Sequence, residues 1–304
     1  MGGRLVTESY IAAESVEGAL AALASGARPV AGGTDLVVGA RQGKAPLPDS
    51  IVAIHRLAEL HGVALDGGTL RLGALTTHEE IAENTLVLER VTALADAAAI
   101  VGSHATRAQG TVGGNLMNAS PAMEIGGPLM CFGAAVTLRS QGGERSVAVA
   151  DLFAGPGKTI AEPDELLTEV AVPLPPEATG SCYARLEYRQ QMEIAVVGAT
   201  AIVTLAGDRV TAAKLAITAL APTVRLVPAA EEALVGSDGE RAAAELAAQA
   251  AAKASEPISD VRASEAYRRA MTAVLTRRAI EAAVARARGI SVPVPASRFL
   301  HAAG

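Results

Sequence analysis

The spacing of apolar and polar positions predicts a helix over 16–24, a short strand over 29–31 and, after a glycine pair, a helix from Thr34 toward Gln42. Residues 51–54 read as a second strand, and 63–65 and 70–72 alternate around Asp66-Gly67-Gly68, a hairpin signal. Residues 81–84 and 88–100 look helical, the second amphipathic with Ala, Leu and Ile on one side. A second hairpin is expected from 134–138 and 145–149 around Gln141-Gly142-Gly143-Glu144, followed by a strand over 166–172. That strand stops at Pro173 and the run Leu174-Pro175-Pro176, the strongest candidate boundary in the chain.

Beyond the prolines, 182–189, 194–205 and 210–219 read as three antiparallel strands, the last two joined through Gly207-Asp208. Helices follow over 229–235, 240–252 and 264–287. In the last, Tyr267, Met271, Val274 and Leu275 share a face, with Arg268, Arg269, Thr272 and Thr276 opposite. The pattern predicts an α+β chain: a mixed unit over 1–175, then a smaller unit over 176–304 with a three-stranded antiparallel sheet and packed helices.

Composition narrows the functions. The chain has 304 residues and 50% hydrophobic content, enough for two cores. Its net charge of −6, with 2% aromatic residues and no basic stripe, argues against nucleic acid as a partner. The longest apolar runs, 93–101 and 195–206, are interrupted by Asp96 or by Gly and Thr and fall short of a membrane span. Residues 1–6 lack the apolar run of a signal peptide, so a cytoplasmic protein is expected. Cys131 and Cys182 are too few and too separated for a thiolate metal site or an iron–sulfur cluster, and the histidines show no ligand spacing. Cys131, in an apolar run, reads as a buried small residue.

Two glycine loops carry the candidate chemistry: Ala31-Gly32-Gly33-Thr34-Asp35-Leu36 and Thr111-Val112-Gly113-Gly114-Asn115. Each joins a bare backbone turn to a hydroxyl or amide side chain. Successive N–H groups can converge there on a phosphate with no Cβ in the way, and the first loop is placed at a helix N-terminus, with Thr34 as its expected N-cap. Asp35 would repel a phosphate, so an anion is expected over the glycines. The stretch Ala154-Gly155-Pro156-Gly157-Lys158-Thr159 imitates a P-loop, but Leu152 stands where the leading glycine is required. No dinucleotide fingerprint, nucleophile elbow or catalytic residue is read from the chain.

These loops, together with Asn118-Ala119-Ser120-Pro121, resemble the flavin loops of the FAD-binding medium subunit of molybdenum hydroxylases, the carbon monoxide dehydrogenase and xanthine dehydrogenase type. The resemblance continues through Asp151-Leu152-Phe153-Ala154-Gly155, through Asp164 to Val170, and through Ser259 to Arg269. It implies a two-subdomain FAD-binding domain of the vanillyl-alcohol-oxidase type (1–55 and 56–175) and a C-terminal domain over 176–304. It also implies pyrophosphate contacts at Ala31, Gly32, Gly33, Thr34 and Asp35 and at Thr111, Gly113, Gly114 and Asn115, with Ser120 near the ribityl chain or ring. Glu124 and Arg185 stand where the family has Asp and Lys, and Ile194 lies near the place where some relatives have an aromatic. Leu167 matches a cofactor-touching position and equally reads as a core leucine; Gly102 reads as a close flavin approach or a helix C-terminal glycine.

The function implied is that of a flavoprotein subunit. It would pass electrons to an external acceptor from [2Fe-2S] clusters on a small partner subunit, with the molybdenum cofactor on a large one, in an (αβγ)2 assembly. A self-contained FAD oxidase or reductase and a flavin-free bridging subunit are the alternatives.

Overall fold

The computed structural model describes residues 7–43, 45–189 and 191–300. The chain opens with β1 (Ser9–Ala12), α1 (Val16–Ala24), β2 (Arg28–Val30), α2 (Leu36–Arg41) and β3 (Ser50–Ala53), the strands forming a parallel sheet in the order β1-β3-β2. Helix α1 starts at Ser15, whose hydroxyl accepts the Gly18 N–H, and buries Val16, Ala19, Leu20 and Leu23 against Val52 and Ile54. Strand β1 carries no signal in the hydrophobic pattern because all four of its residues are exposed. Thr34 does not cap α2: the chain turns at Gly33 in the left-handed region (φ 67°), and the helix begins after Asp35 without a side-chain cap.

Next come β4 (Val63–Asp66) and β5 (Thr69–Gly73), then α3 (His78–Glu83), α4 (Thr85–Arg90), α5 (Thr92–Ala98), α6 (His104–Arg107), α7 (Val112–Asn118) and α8 (Gly126–Cys131). Strands β6 (Ala135–Ser140) and β7 (Gly143–Ala148), the turn α9 (Val149–Leu152), the short hairpin β8 (Phe153–Gly155) and β9 (Lys158–Thr159), and β10 (Leu166–Pro173) complete this part. The larger sheet has the order β4-β5-β10-β6-β7, antiparallel throughout. Both expected hairpins are present. The single helix expected over 88–100 is two, broken at Val91. Tertiary contacts hold the second piece: the Ala93 N–H donates to Ser181 Oγ, and Asp96 is tied to residues far along the chain.

The C-terminal part holds β11 (Thr179–Leu186), β12 (Val197–Ala206), β13 (Arg209–Thr218), β14 (Arg225–Leu226), α10 (Pro228–Leu234), α11 (Arg241–Ala254), α12 (Glu265–Ala287) and α13 (Ser297–Leu300). Its antiparallel sheet has four strands rather than the expected three, because the two-residue β14 pairs with Ala216 and Ile217. Strand β12 begins at Val197, leaving Ile194 exposed in the preceding loop.

This sheet is buried on both faces. Cys182, Ala184, Ala199 and Leu215 pack toward α10, α11 and α12, whereas Tyr183, Ile202 and Ala216 join the core of the N-terminal part. That sandwich also corrects the reading of α12. Arg268, Thr272 and Thr276 lie on its buried side while Tyr267 is exposed, since the Arg268 guanidinium reaches the Val196 carbonyl and Asp260. Cys131 and Cys182 are both buried, and burial raises both thiols well above their ordinary value. Among the described residues no helix is long and apolar enough to cross a membrane, and no group of His, Cys, Asp and Glu is arranged to hold a metal.

Candidate cofactor site

The fold brings the two glycine loops into contact. A Cβ on Gly32 would overlap the Gln109 carbonyl, and one on Gly110 would lie 2.9 Å from the Thr106 carbonyl oxygen and 3.7 Å from Thr34 Oγ1. The second loop is fixed in turn to residues 74–78, which follow β5 of the larger sheet. His78 N–H donates to the Gly110 carbonyl (3.0 Å), Val112 N–H to Thr76 O (2.9 Å) and Gly113 N–H to Ala74 O (2.9 Å). Thr111 caps α7, its hydroxyl accepting the Gly114 N–H at 3.1 Å, and the Asn115 N–H returns to the Thr111 carbonyl.

The two loops therefore differ in what they offer. Among the described residues, no hydrogen bond takes the N–H of Gly32, Gly33 or Thr34, so these donors are available to an anion. The N–H groups of residues 112–115 already have acceptors within the chain, which corrects the expectation that both loops contribute several backbone donors. What the second loop adds is side chain: the hydroxyl proton of Thr111 and the amide of Asn115. Asn115 Oδ1 is buried with no hydrogen-bond partner among the described residues. Such an atom is destabilising unless something meets it. As placed, the amide accepts from a hydroxyl; turned over, it donates to a phosphate oxygen. Bare donors at Gly32–Thr34 and an unmatched amide at Asn115 fit a dinucleotide that carries both phosphates and sugar hydroxyls.

The other expected residues lie around these loops in different settings. Asp35 is exposed at the start of α2, and Ala31 packs against the small core under β3. Ser120 is half-buried, its hydroxyl accepting the Ala122 N–H at 3.2 Å. Gly102 has φ 51° just after α5, and its carbonyl accepts the Met192 N–H at 3.0 Å, linking the loop between β11 and β12 to the 102–106 turn. Leu167 is a core residue on β10, opposite Leu138. The P-loop-like stretch is the β8–β9 hairpin: Gly157 has φ 69° and gives its N–H to the Ala119 carbonyl, so it makes no phosphate nest.

Glu124 and Arg185 are bonded to each other rather than presented to a cleft. The Arg185 side chain is wholly buried on β11 and donates to Glu124 Oε1 at 2.5 Å, to Glu187 and to the Glu193 carbonyl. Burial pushes the Glu124 carboxyl above its ordinary range, and the Arg185 guanidinium pulls against that shift. Two groups near the loops escaped the sequence reading. His78, the first residue of α3, is buried under Gly110, and burial followed by the charge of Arg107 lowers its imidazole to about 4. Arg107 is itself buried, donating to the Val101 carbonyl at 3.1 Å, and burial with repulsion from Arg298 and Arg185 outweighs the attraction of Glu79. Neither residue carries a spacing signal; only the packing of α3 and α6 beneath the loop places them.

Comparison with known proteins identifies the family. Residues 6–175 match the family described as the FAD binding domain in molybdopterin dehydrogenase, and residues 182–283 match the CO dehydrogenase flavoprotein C-terminal domain. The chain belongs to the FAD-binding medium-subunit family of molybdenum hydroxylases, oxidoreductase components whose cofactor is FAD. It is 30% identical to the carbon monoxide dehydrogenase medium chain of Afipia carboxidovorans, over 88% of this chain and 93% of that one. It is also 30% identical to the xanthine dehydrogenase FAD-binding subunit of Escherichia coli O157:H7, over 92% of this chain and 97% of that one. Its structure is similar to that of the Cu,Mo-CO dehydrogenase in its cyanide-inactivated form, with a TM-score of 0.88 and 30% identity over 92% of this chain and 99% of the other. Quinoline 2-oxidoreductase from Pseudomonas putida 86 gives a TM-score of 0.88 at 29% identity, over 93% of this chain and 99% of that one.

Proposed function

We propose that this chain holds FAD between its two glycine loops and passes electrons from the [2Fe-2S] clusters of a small partner subunit to an external acceptor. The molybdenum cofactor belongs to a large partner subunit in this reading, the assembly is an (αβγ)2 particle, and it works in the cytoplasm. The observation that carries the proposal is the contact of Gly32 with the 109–110 backbone, which sets the N–H groups of Gly32–Thr34, unclaimed among the described residues, against the start of the loop that goes on to the unmatched Asn115 amide.

Bound flavin supplies the chemistry of accepting electrons singly and releasing them in pairs. The chain's own residues hold and orient it. Gly32, Gly33 and Thr34 take the diphosphate by backbone dipoles, and Thr111, Asn115 and Ser120 offer side-chain hydrogen bonds. In this reading Glu124, Arg185, Leu167 and Gly102 would complete the surroundings of the cofactor, the first two as a buried pair, Leu167 from the core on β10, and Gly102 through its link to the loop between β11 and β12. The 1–55 and 56–175 subdomains would bind the cofactor, and 176–304 would close the site through the loop between β11 and β12.

Absorbance tests the first step, because the chain has no Trp and four Tyr and a bound flavin would dominate its spectrum. A yellow protein that copurifies with molybdenum and iron–sulfur subunits is expected; a colourless one that fails to take up added FAD would overturn the reading. Gly114→Val is the site test. A Cβ at Gly114 meets only Thr111 Oγ1, at 3.0 Å, so the fold is expected to survive while FAD retention is lost. Full flavin content in that variant would remove the second loop from the site.

A further inference from the structure

The face of the β11–β14 sheet that meets α8 carries a polar cluster within an apolar contact. Tyr183 on β11 lies opposite Thr200 on β12, Thr200 is opposite Ala216 on β13, and Thr218 is two residues beyond Ala216. With a strand period of two, Tyr183, Thr200 and Thr218 share one face, which Tyr183 and Ala216 show to be the face packed on the N-terminal core. All three residues are 0% exposed, and Tyr183 Oη, Thr200 Oγ1 and Thr218 Oγ1 have no hydrogen-bond partner among the described residues.

Two glycines flank these oxygens. A Cβ on Gly127 of α8 would stand 2.5 Å from Thr200 Oγ1 and 3.3 Å from Thr218 Oγ1, and one on Gly198 would stand 2.6 Å from Tyr183 Oη. The threonine hydroxyls thus stand about Gly127 and the tyrosine hydroxyl about Gly198, which also neighbours Thr218, and none of the three is hydrogen-bonded to another. Each can donate one hydrogen bond and accept two.

We propose that Tyr183, Thr200 and Thr218 together hold an internal water on the face of the C-terminal sheet that meets α8. A water has the two donors and two acceptors needed to engage three hydroxyls, and buried waters with about three such partners are integral parts of folded proteins. A cation suits the cluster poorly. The nearby carboxylates of Glu124 and Glu187 are both bonded to Arg185, and the three ligands are neutral. The water would sit against the wall that carries Arg185, two residues along the same strand face from Tyr183. It would give three buried polar atoms the partners that apolar packing against α8 alone would withhold.

The sign of a stability change tests this in the full chain. Thr200→Val, Thr218→Val and Tyr183→Phe keep shape and delete one hydroxyl each. If the hydroxyls are unbonded, each deletion removes a burial penalty and raises the midpoint of thermal unfolding or leaves it unchanged. If they bind water, each deletion lowers the midpoint by a few degrees, and the Thr200→Val/Thr218→Val double variant falls by less than the sum because the same water is lost once. An unchanged or raised midpoint would overturn the proposal. A crystal structure of the full chain supplies the second arm. A water within about 3 Å of at least two of the three oxygens is expected. A flavin atom there, or threonine hydroxyls turned onto backbone carbonyls, would overturn it even if the midpoints fall.

Discussion

The carbonyl of Gln109 occupies the space in which a side chain on Gly32 would begin. Through this one contact, loops separated by about eighty residues of sequence become two sides of a single site. Gly32→Ala forces the backbones apart, so a loss of about 1–3 kcal/mol in stability is expected, together with loss of most bound flavin. Gly39→Ala is the matched control, since a Cβ there meets nothing within 4 Å. Urea unfolding and the flavin-to-protein absorbance ratio measure both effects.

Asn115 separates cofactor binding from folding. Its buried Oδ1 has no partner among the described residues, so Asn115→Ala is expected to leave the stability of the flavin-free protein unchanged or slightly improved. FAD affinity is expected to fall by about tenfold, the size of one hydrogen bond. Titration of FAD fluorescence against the flavin-free protein reads the affinity. Unaltered affinity with lowered stability would instead assign this amide to the fold.

Arg185 serves two buried carboxylates at once. Arg185→Met strands Glu124 and Glu187 in the interior, and a loss of about 3–5 kcal/mol is expected from breaking a buried pair on one side. Glu124→Gln leaves the guanidinium with Glu187, so a smaller loss of about 1–2 kcal/mol is expected. Equilibrium unfolding in urea ranks the two; the reverse order would show that Glu124, not Arg185, organises this wall.

His78 makes stability depend on pH. Its folded value of about 4 lies below the ordinary 6.5, because burial and Arg107 disfavour the imidazolium. Between these values the unfolded chain binds the proton more readily, so stability rises with pH across that window. The contribution is complete above pH 6.5 and is lost as pH falls toward 4, by about 3 kcal/mol in all. His78→Gln should remove this slope, read as the difference in unfolding free energy between variant and parent from pH 7 to 4. A parallel slope in both proteins would contradict the assignment.

Much of the architecture is legible along the chain where a local rule fixes it. The bounds of α1 follow from Ser15 and the apolar spacing after it, and both hairpins of the larger sheet follow from glycine turns between alternating strands. The break at Val91 and the start of β12 were not legible, because long-range contacts decide them. Asp96 shows the difference best. In sequence it is one charge interrupting an apolar run; in the fold its carboxylate receives the Arg286 guanidinium and the N–H groups of Tyr183 and Ala296. Arg268 misled in the same way, since a cation on a helix reads as solvent-facing until the Val196 carbonyl just before β12 and Asp260 in the loop before α12 supply acceptors.

The cofactor site divides along the same line. By itself the sequence determined the two glycine loops, their order and the class of ligand, because a backbone anion cradle needs residue types that are local and few. Only the tertiary structure decided which donors remain. It satisfied the N–H groups of 112–115 within the chain, left those of Gly32–Thr34 without an acceptor among the described residues, and turned Glu124 and Arg185 toward each other. Hydrogen-bond satisfaction is a property of neighbours in space, and a loop's capacity to bind is what remains after its neighbours have been served.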